Sequence, residues 1–267
     1  MIRTLARVTC TLACLCATAV GADTLVIPPS FENVCATGTR AFQPFPFATT
    51  PSFNYPYRYQ QVYDANAFPA VGPGESILIS EIRFRIDEYS GGLEQITYSD
   101  ITVNFSTTSR AVGALATGSA QDLDSNLGAD QMTAFSGGFV WDACGTPDTC
   151  VAHICGPDFS PMPFDQAIPL SQSFSYDPTQ GNLLLEVYAL DPTPPNQLFD
   201  AADVPFPITT RARETLDPAN PTIHYWPTAA NDVGLITQFV YTVPEADALL
   251  GPAAALLALG AVRRARR

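Results

Sequence analysis

The sequence predicts an all-β fold, an antiparallel β-sandwich of jelly-roll or Greek-key type. Apolar residues between the two chain ends recur with a period of two in short runs, and no long stretch keeps the 3.6-residue period of an amphipathic helix. The chain carries 24 prolines among 267 residues, which punctuate those runs rather than interrupt helices. Residues 23–245, roughly 220 in all, suffice for one large core and do not require a second domain.

The strands follow in order. Leu25–Ile27 is a weak first strand, and Arg58–Tyr63 alternates. In Ile77–Asp87, Ile77 and Ile79 share one phase and Ile82, Phe84 and Ile86 the other, which predicts a bulge near Ser80–Glu81. Ile101, Val103 and Phe105 alternate with Thr102 and Asn104 as in a half-buried strand. Phe135–Trp141, Ile168–Tyr176, Leu183–Leu190 and Leu235–Tyr241 are further strands, with weaker ones at Phe206–Thr210 and Ile223–Trp226. The count approaches ten, and two packed antiparallel sheets bury such strands well. Pro44–Pro56, with Phe45, Phe47, Phe53 and Tyr55 interleaved, reads as an extended segment covering a sheet edge or as an aromatic binding strip. Pro192–Pro195 and Pro205–Pro207 read as loops, and no internal repeat is visible.

Both chain ends read as addresses. Arg3 and Arg7 precede the apolar run Val8–Val20, and small residues at Gly21 and Ala22 offer a cleavage site before Asp23, the pattern of a secretory signal peptide over 1–22. At the other end, 243–267, Val243-Pro244-Glu245 precedes the uncharged Ala/Leu-rich run Ala248–Val262, and Arg263, Arg264, Arg266 and Arg267 would stop translocation on the cytoplasmic side. As a helix that run is about 22 Å long against a hydrocarbon core of roughly 30 Å, a short span that suits a removable anchor. The domain lies between them, over 23–242.

These C-terminal parts resemble the tripartite PEP-CTERM sorting signal of exported bacterial proteins. The resemblance implies recognition and processing by an exosortase, an integral-membrane Cys protease-transpeptidase, and association with exopolysaccharide. The usual Pro-Glu-Pro reads Pro-Glu-Ala here, with Ala246 last. A Leu-Pro-x-Thr-Gly sortase motif is absent, and a GPI signal does not end in arginines. Further runs are similar to those of PEP-CTERM ectodomains: Arg58-Tyr59-Gln60-Gln61-Val62-Tyr63, Phe84-Arg85, Ser106-Thr107-Thr108-Ser109, Gly181-Asn182-Leu183-Leu184-Leu185 and Gly234-Leu235-Ile236-Thr237-Gln238-Phe239. They imply a sandwich and supply no site. Read by themselves, Gly181-Asn182 is a turn before a strand, and a buried Arg85 needs a carboxylate partner.

Charge narrows the partners. Residues 23–245 hold seven arginines and 25 carboxylates, a net of −18, so nucleic acid and anionic membrane surfaces are poor partners while cations and neutral glycans are permitted. Cys10, Cys14 and Cys16 leave with the signal peptide, and Cys35, Cys144, Cys150 and Cys155 make two disulfides in an oxidising compartment. Of three connectivities the sequence favours Cys144–Cys150, closing a Gly-Thr-Pro-Asp-Thr turn, with Cys35 reaching Cys155. His153 between Cys150 and Cys155 fits no common structural-zinc spacing.

Catalysis finds little footing. There is no Gly-x-Ser-x-Gly or His-Glu-x-x-His, and the two histidines, His153 and His224, carry no signature around them. No motif selects a carboxylate pair. The cofactor with a motif is calcium: Asp122, Asp124 and Asn126 begin with calcium-loop spacing and Asp130 follows, but Gly128 is one place late and Thr133 stands where a bidentate Glu belongs. The plainer reading of the same residues, and the preferred one, is an Asx-rich turn joining two strands. The sequence thus describes an exported, non-enzymatic surface or matrix protein, held transiently at the inner membrane. The alternative is a glycan-binding module with Tyr55, Tyr57, Trp141 or Trp226 as stacking platforms and calcium ordering a loop.

Overall fold

The computed structural model describes residues 21–36, 42–43, 46, 57–72, 74–87, 96–116, 120–141, 161–189, 198–203, 209–215 and 233–244. Twelve strands lie among them: β1 (Asp23–Ile27), β2 (Phe42–Gln43), β3 (Tyr57–Tyr63), β4 (Ile77–Phe84), β5 (Ile96–Thr108), β6 (Met132–Trp141), β7 (Gln166–Tyr176), β8 (Asn182–Ala189), β9 (Phe199–Asp203), β10 (Thr209–Thr215), β11 (Val233–Leu235) and β12 (Thr237–Thr242). One short helix, α1 (Ala120–Asp124), interrupts the connection from β5 to β6.

All paired strands are antiparallel. One sheet has the order β1-β12-β4-β7, the second β10-β3-β8-β5-β6, and a small third sheet β11-β9-β2. With β10 set aside as an added edge, β1-β12-β4-β7 and β3-β8-β5-β6 have the strand order of a jelly roll. The two sheets share one core: Ile79, Ile82 and Phe174 of the first meet Val103, Phe105, Leu183 and Leu185 of the second. Phe105 stacks on Phe174 with ring centroids 5.6 Å apart, and Tyr63 meets Phe239 edge-on at 5.0 Å. Each such side chain taken from water contributes about 1.5–3 kcal/mol.

The phase change read in Ile77–Asp87 is a real irregularity. The β4–β7 register shifts between Ile79 and Glu81, which returns both halves of β4 to the core. Pro169 sits opposite Glu81 on β7, an edge strand beside the irregularity, where sheets accommodate proline. Two expected strands need correction. Ile77–Asp87 ends as a ladder strand at Phe84, after which Ile86 makes an isolated bridge to Phe199. Leu235–Tyr241 is two strands, because Ile236 leaves the ladder as the chain passes from the small sheet into the first.

Leu190, the loops at Pro192–Pro195 and Pro205–Pro207, the strand at Ile223–Trp226 and all of Pro44–Pro56 but Pro46 lie outside the described residues. The strand expected at Phe206–Thr210 is described only from Thr209, as the start of β10. β2 and β9 were not legible, being too short or too weakly patterned. No helix among the described residues is long and apolar enough to cross a membrane. The predicted signal peptide before residue 21 and the apolar run at Ala248–Val262 lie outside them.

The outer face of the five-stranded sheet is also covered. The β5–β6 connection folds back over it, placing Val112, Leu115, Leu123 and Leu127 on Val62 and Leu184 in a second, smaller core. This explains why Leu183, Leu184 and Leu185 are consecutive apolar residues in one strand: both of its faces are buried.

Candidate functional site

Beside that small core lies a buried polar cluster built from four elements. Glu186 on β8 is 1% exposed and faces Arg58 and Gln60 on the neighbouring β3. Its Oε1 accepts Arg58 Nε at 2.9 Å and Gln60 Nε2 at 2.7 Å, and its Oε2 accepts Asn104 Nδ2 at 3.0 Å. Arg58 Nη2 lies 2.8 Å from Glu186 and 2.7 Å from the largely exposed Asp124, and its guanidinium covers the Tyr188 ring at 5.3 Å. Burial lowers the Arg58 pKa, but Glu186, Tyr188 and Asp124 together outweigh it and hold the guanidinium above its ordinary value. A carboxylate so fully bonded is a structural group.

The calcium candidates belong largely to this same cluster. Asn126 is fully buried; its Nδ2 donates to Gln60 Oε1 at 2.8 Å and to the Ala116 carbonyl at 3.0 Å, while its Oδ1 accepts the Ala116 N–H at 2.8 Å. Asp124 is paired with Arg58, and Asp122 lies on α1, its carbonyl accepting the Ser125 N–H at 3.1 Å. Asp130 turns elsewhere, accepting the Thr107 N–H at 2.7 Å, and Thr133 donates to Asn104 Oδ1 at 2.8 Å. The residues with calcium-loop spacing thus lie in a turn, where Asn126 bonds Gln60 and Ala116, Asp124 pairs with Arg58, and Asp130 accepts the Thr107 N–H, tying the β5–β6 connection to the sheet. Among the described residues no three His, Cys, Asp or Glu side chains gather as a metal cluster.

A second lock joins the sheets. The Gln61 carboxamide binds both backbone groups of Leu235, Nε2 donating to its carbonyl at 2.9 Å and Oε1 accepting its N–H at 2.8 Å. Tyr59 OH donates to the same Oε1, and Tyr63 OH bonds Thr237 Oγ1 at 2.8 Å. Burial pushes the Tyr63 phenol well above its ordinary pKa. A third lock is the ion pair of Arg85, fully buried, with Asp200 on β9. The same guanidinium donates to the carbonyls of Phe31 at 2.9 Å and Val34 at 2.7 Å and lies 5.1 Å from the Phe164 ring centroid. It thereby fastens 28–36 across the small sheet. Next to Val34, Cys35 is buried and disulfide-bonded, its partner lying outside the described residues.

Trp141 is not a stacking platform. It is 4% exposed, its Nε1 donates to the Ala167 carbonyl at 2.8 Å, and its ring packs among Phe84, Tyr98, Phe139 and Phe199. Tyr57 begins β3, while Tyr55, Trp226, His153, His224, Cys144, Cys150 and Cys155 lie outside the described residues.

Among the described residues an open groove of about 360 Å³ is lined by Thr107, Ala129, Asp130, Ser175, Asp177 and Gln180. Its walls are set by close backbone approaches. A Cβ on Gly128 would lie 1.8 Å from the Thr107 carbonyl oxygen, and one on Gly181, whose φ is 151°, 2.6 Å from that of Thr108. Asp177 accepts from the Thr179 hydroxyl at 2.6 Å and from its N–H at 2.8 Å, bonds that hold its pKa below the ordinary carboxylate value.

The groove stands at the end of the sandwich that carries Asp23 and Thr242. Asp23 pairs with Tyr241, Tyr241 with Ile79 and Ile79 with Phe174, so the start of β1, the end of β12 and the β7–β8 turn share one pole. Val243 packs on the core and Pro244 is exposed just beyond. Comparison of the chain with family models, with curated proteins and with solved structures finds no match.

Proposed function

We propose that this chain is an exported, non-enzymatic cell-surface or extracellular-matrix protein. Its signal peptide directs export, its apolar segment holds it in the inner membrane, and an exosortase-like enzyme processes it near Val243-Pro244-Glu245 before it joins an exopolysaccharide-rich surface. One observation carries the reading: the strand ladder begins at Asp23 and ends at Thr242. The described sandwich strands thus lie between the two expected addresses, with Asp23 and Thr242 at one pole, which supports the reading. The internal commitment of Arg58, Glu186, Arg85, Asp200 and Asn126 supports a structural role for the domain.

Fractionation of cells expressing the full chain and a chain stopped after Val243 tests this. The full chain passes through the membrane fraction to the surface, whereas the shortened chain is released directly to the medium. Identical distributions would refute the proposal.

The groove favours one second reading, a glycan-binding module. Its hydroxyls, amide and two carboxylates suit a neutral sugar in a domain whose charge repels anions. A glycan array with and without chelator decides: no binding in either condition removes it, and binding lost with chelator implicates calcium.

A further inference from the structure

Strand β12 is not an edge. β1 pairs with it from Asp23↔Tyr241 to Ile27↔Thr237, and β4 pairs with its other side from Gln238↔Arg83 to Thr242↔Leu78. Its backbone hydrogen bonds are therefore shared between two neighbours, and Phe239, Val240 and Tyr241 are buried. Proteases commonly bind their substrates extended, with main-chain hydrogen bonds along a free strand edge. Residues 238–241 have a strand on both sides and no free edge to offer, and Thr242 is still paired with Leu78. Val243 stands just past the ladder with its side chain against the core, and Pro244 is the first exposed residue. On the other side of the pair Gly21, Ala22, Asp23 and Thr24 are exposed.

We infer that the β1–β12–β4 ladder sets the mature C-terminus: the processed bond lies on the C-terminal side of Val243, and cutting cannot enter β12 while the sandwich is folded. The inference rests on the reading of 243–267 as a processed tag and deepens it. The bond broken is a peptide bond. Its acyl half stays on the domain and passes to water or to an amine acceptor, and its amine half leaves with the apolar segment. Because β12 lies between two strands of the N-terminal half, the ladder closes only when the last strand has been exported. Cutting beyond Val243 then releases a domain whose fold is unchanged.

Two measurements test it. First, the purified full chain is treated with a broad-specificity serine endoprotease and its cuts are mapped by mass spectrometry, with a urea-unfolded control. Phe239, Val240 and Tyr241 are good sites for such an enzyme, so cuts after them appear in the control and are slower by at least about 100-fold in the folded chain. Equal rates overturn the inference without involving the sorting enzyme. Second, the mature protein is recovered from a host carrying the processing enzyme and its C-terminal peptide is sequenced. A terminus at Val243 or later is expected. A terminus at Thr242 or earlier overturns the inference while leaving processing intact, and Arg267 retained on every molecule overturns the proposed processing and the inference together.

Discussion

Gln61 holds Leu235 by both of its backbone groups, accepting its N–H at 2.8 Å and donating to its carbonyl at 2.9 Å. A side-chain amide here takes the place of a neighbouring strand at the point where the chain passes from β11 into β12. The two residues belong to the Arg58–Tyr63 and Gly234–Phe239 runs, which are far apart in sequence. Their adjacency gives a physical reason for the polar residues in otherwise strand-like runs. Arg58 and Gln60 serve Glu186, Gln61 serves Leu235, and Tyr63 serves Thr237.

Replacing Gln61 by Leu leaves the Leu235 N–H and carbonyl buried without that partner. The expected loss is about 2–4 kcal/mol of stability, read from the urea midpoint. Hydrogen exchange at the Leu235 amide should accelerate more than exchange at Val103, which lies in the core of the other sheet. Equal acceleration at both would mean a global loss, and the Gln61–Leu235 bond would not be the local tie described.

Glu186→Ala removes the carboxylate that Arg58, Gln60 and Asn104 share and leaves the buried guanidinium, among the described residues, with only the exposed Asp124 as ion partner, so it should cost about 3–5 kcal/mol. The double variant Arg58→Met, Glu186→Leu removes both charges in similar volume and should recover much of that loss. A double-mutant cycle measures the coupling, and additive single effects would show that the pair does not act as a unit.

Arg85 was legible as a residue needing a carboxylate, since it alternates into a strand beside core positions, but Asp200 was not, because nothing local marks the five-residue β9 as its partner. The jelly-roll order itself rests on pairings such as β1 with β12, which join the two ends of the domain and leave no periodic trace. The Asp122–Asp130 spacing could not show its partners for a related reason: oxygen-bearing side chains at that spacing look the same in sequence whatever they face, and here Asn126 faces the buried Gln60. The apolar residues between, Leu123 and Leu127, are what bring the turn down onto Val62 and Leu184. Trp141 was misassigned because alternation places it on a strand without saying that the aromatic residues of β4, β5 and β9 close over it.

Gly128 should tolerate no side chain. Its missing Cβ lies 1.8 Å from the Thr107 carbonyl, and the obstacle is backbone that cannot swing aside. Gly128→Ala therefore moves the turn off β5, weakening Asp130 to Thr107, with a cost of about 1–3 kcal/mol or more as in overpacked cores. Gly113→Ala is a useful contrast, because nothing lies within 4 Å of its added carbon and only its φ of 83° opposes the change. A larger loss at Gly113 than at Gly128 would contradict the close approach.

Tyr63 predicts how the fold fails in alkali. Burial raises its phenol well above the ordinary value, and the hydrogen bonds from Thr237 and Gln61 only partly offset this. Tyr176 is raised by burial and by Asp64 and Asp177, and Tyr241 by burial and Asp23. An unfolded tyrosine ionises near pH 10, so the unfolded chain loses these protons first as pH rises. The stabilisation is fully present below about pH 10 and is lost as pH climbs from there toward the raised folded values. Melting temperature should therefore fall steeply above about pH 10. Tyr63→Phe should lower stability at neutral pH by about 1 kcal/mol through the lost bond to Thr237, yet show a shallower alkaline decline. Parallel declines for the variant and the parent would mean that the buried phenol at position 63 does not carry the effect.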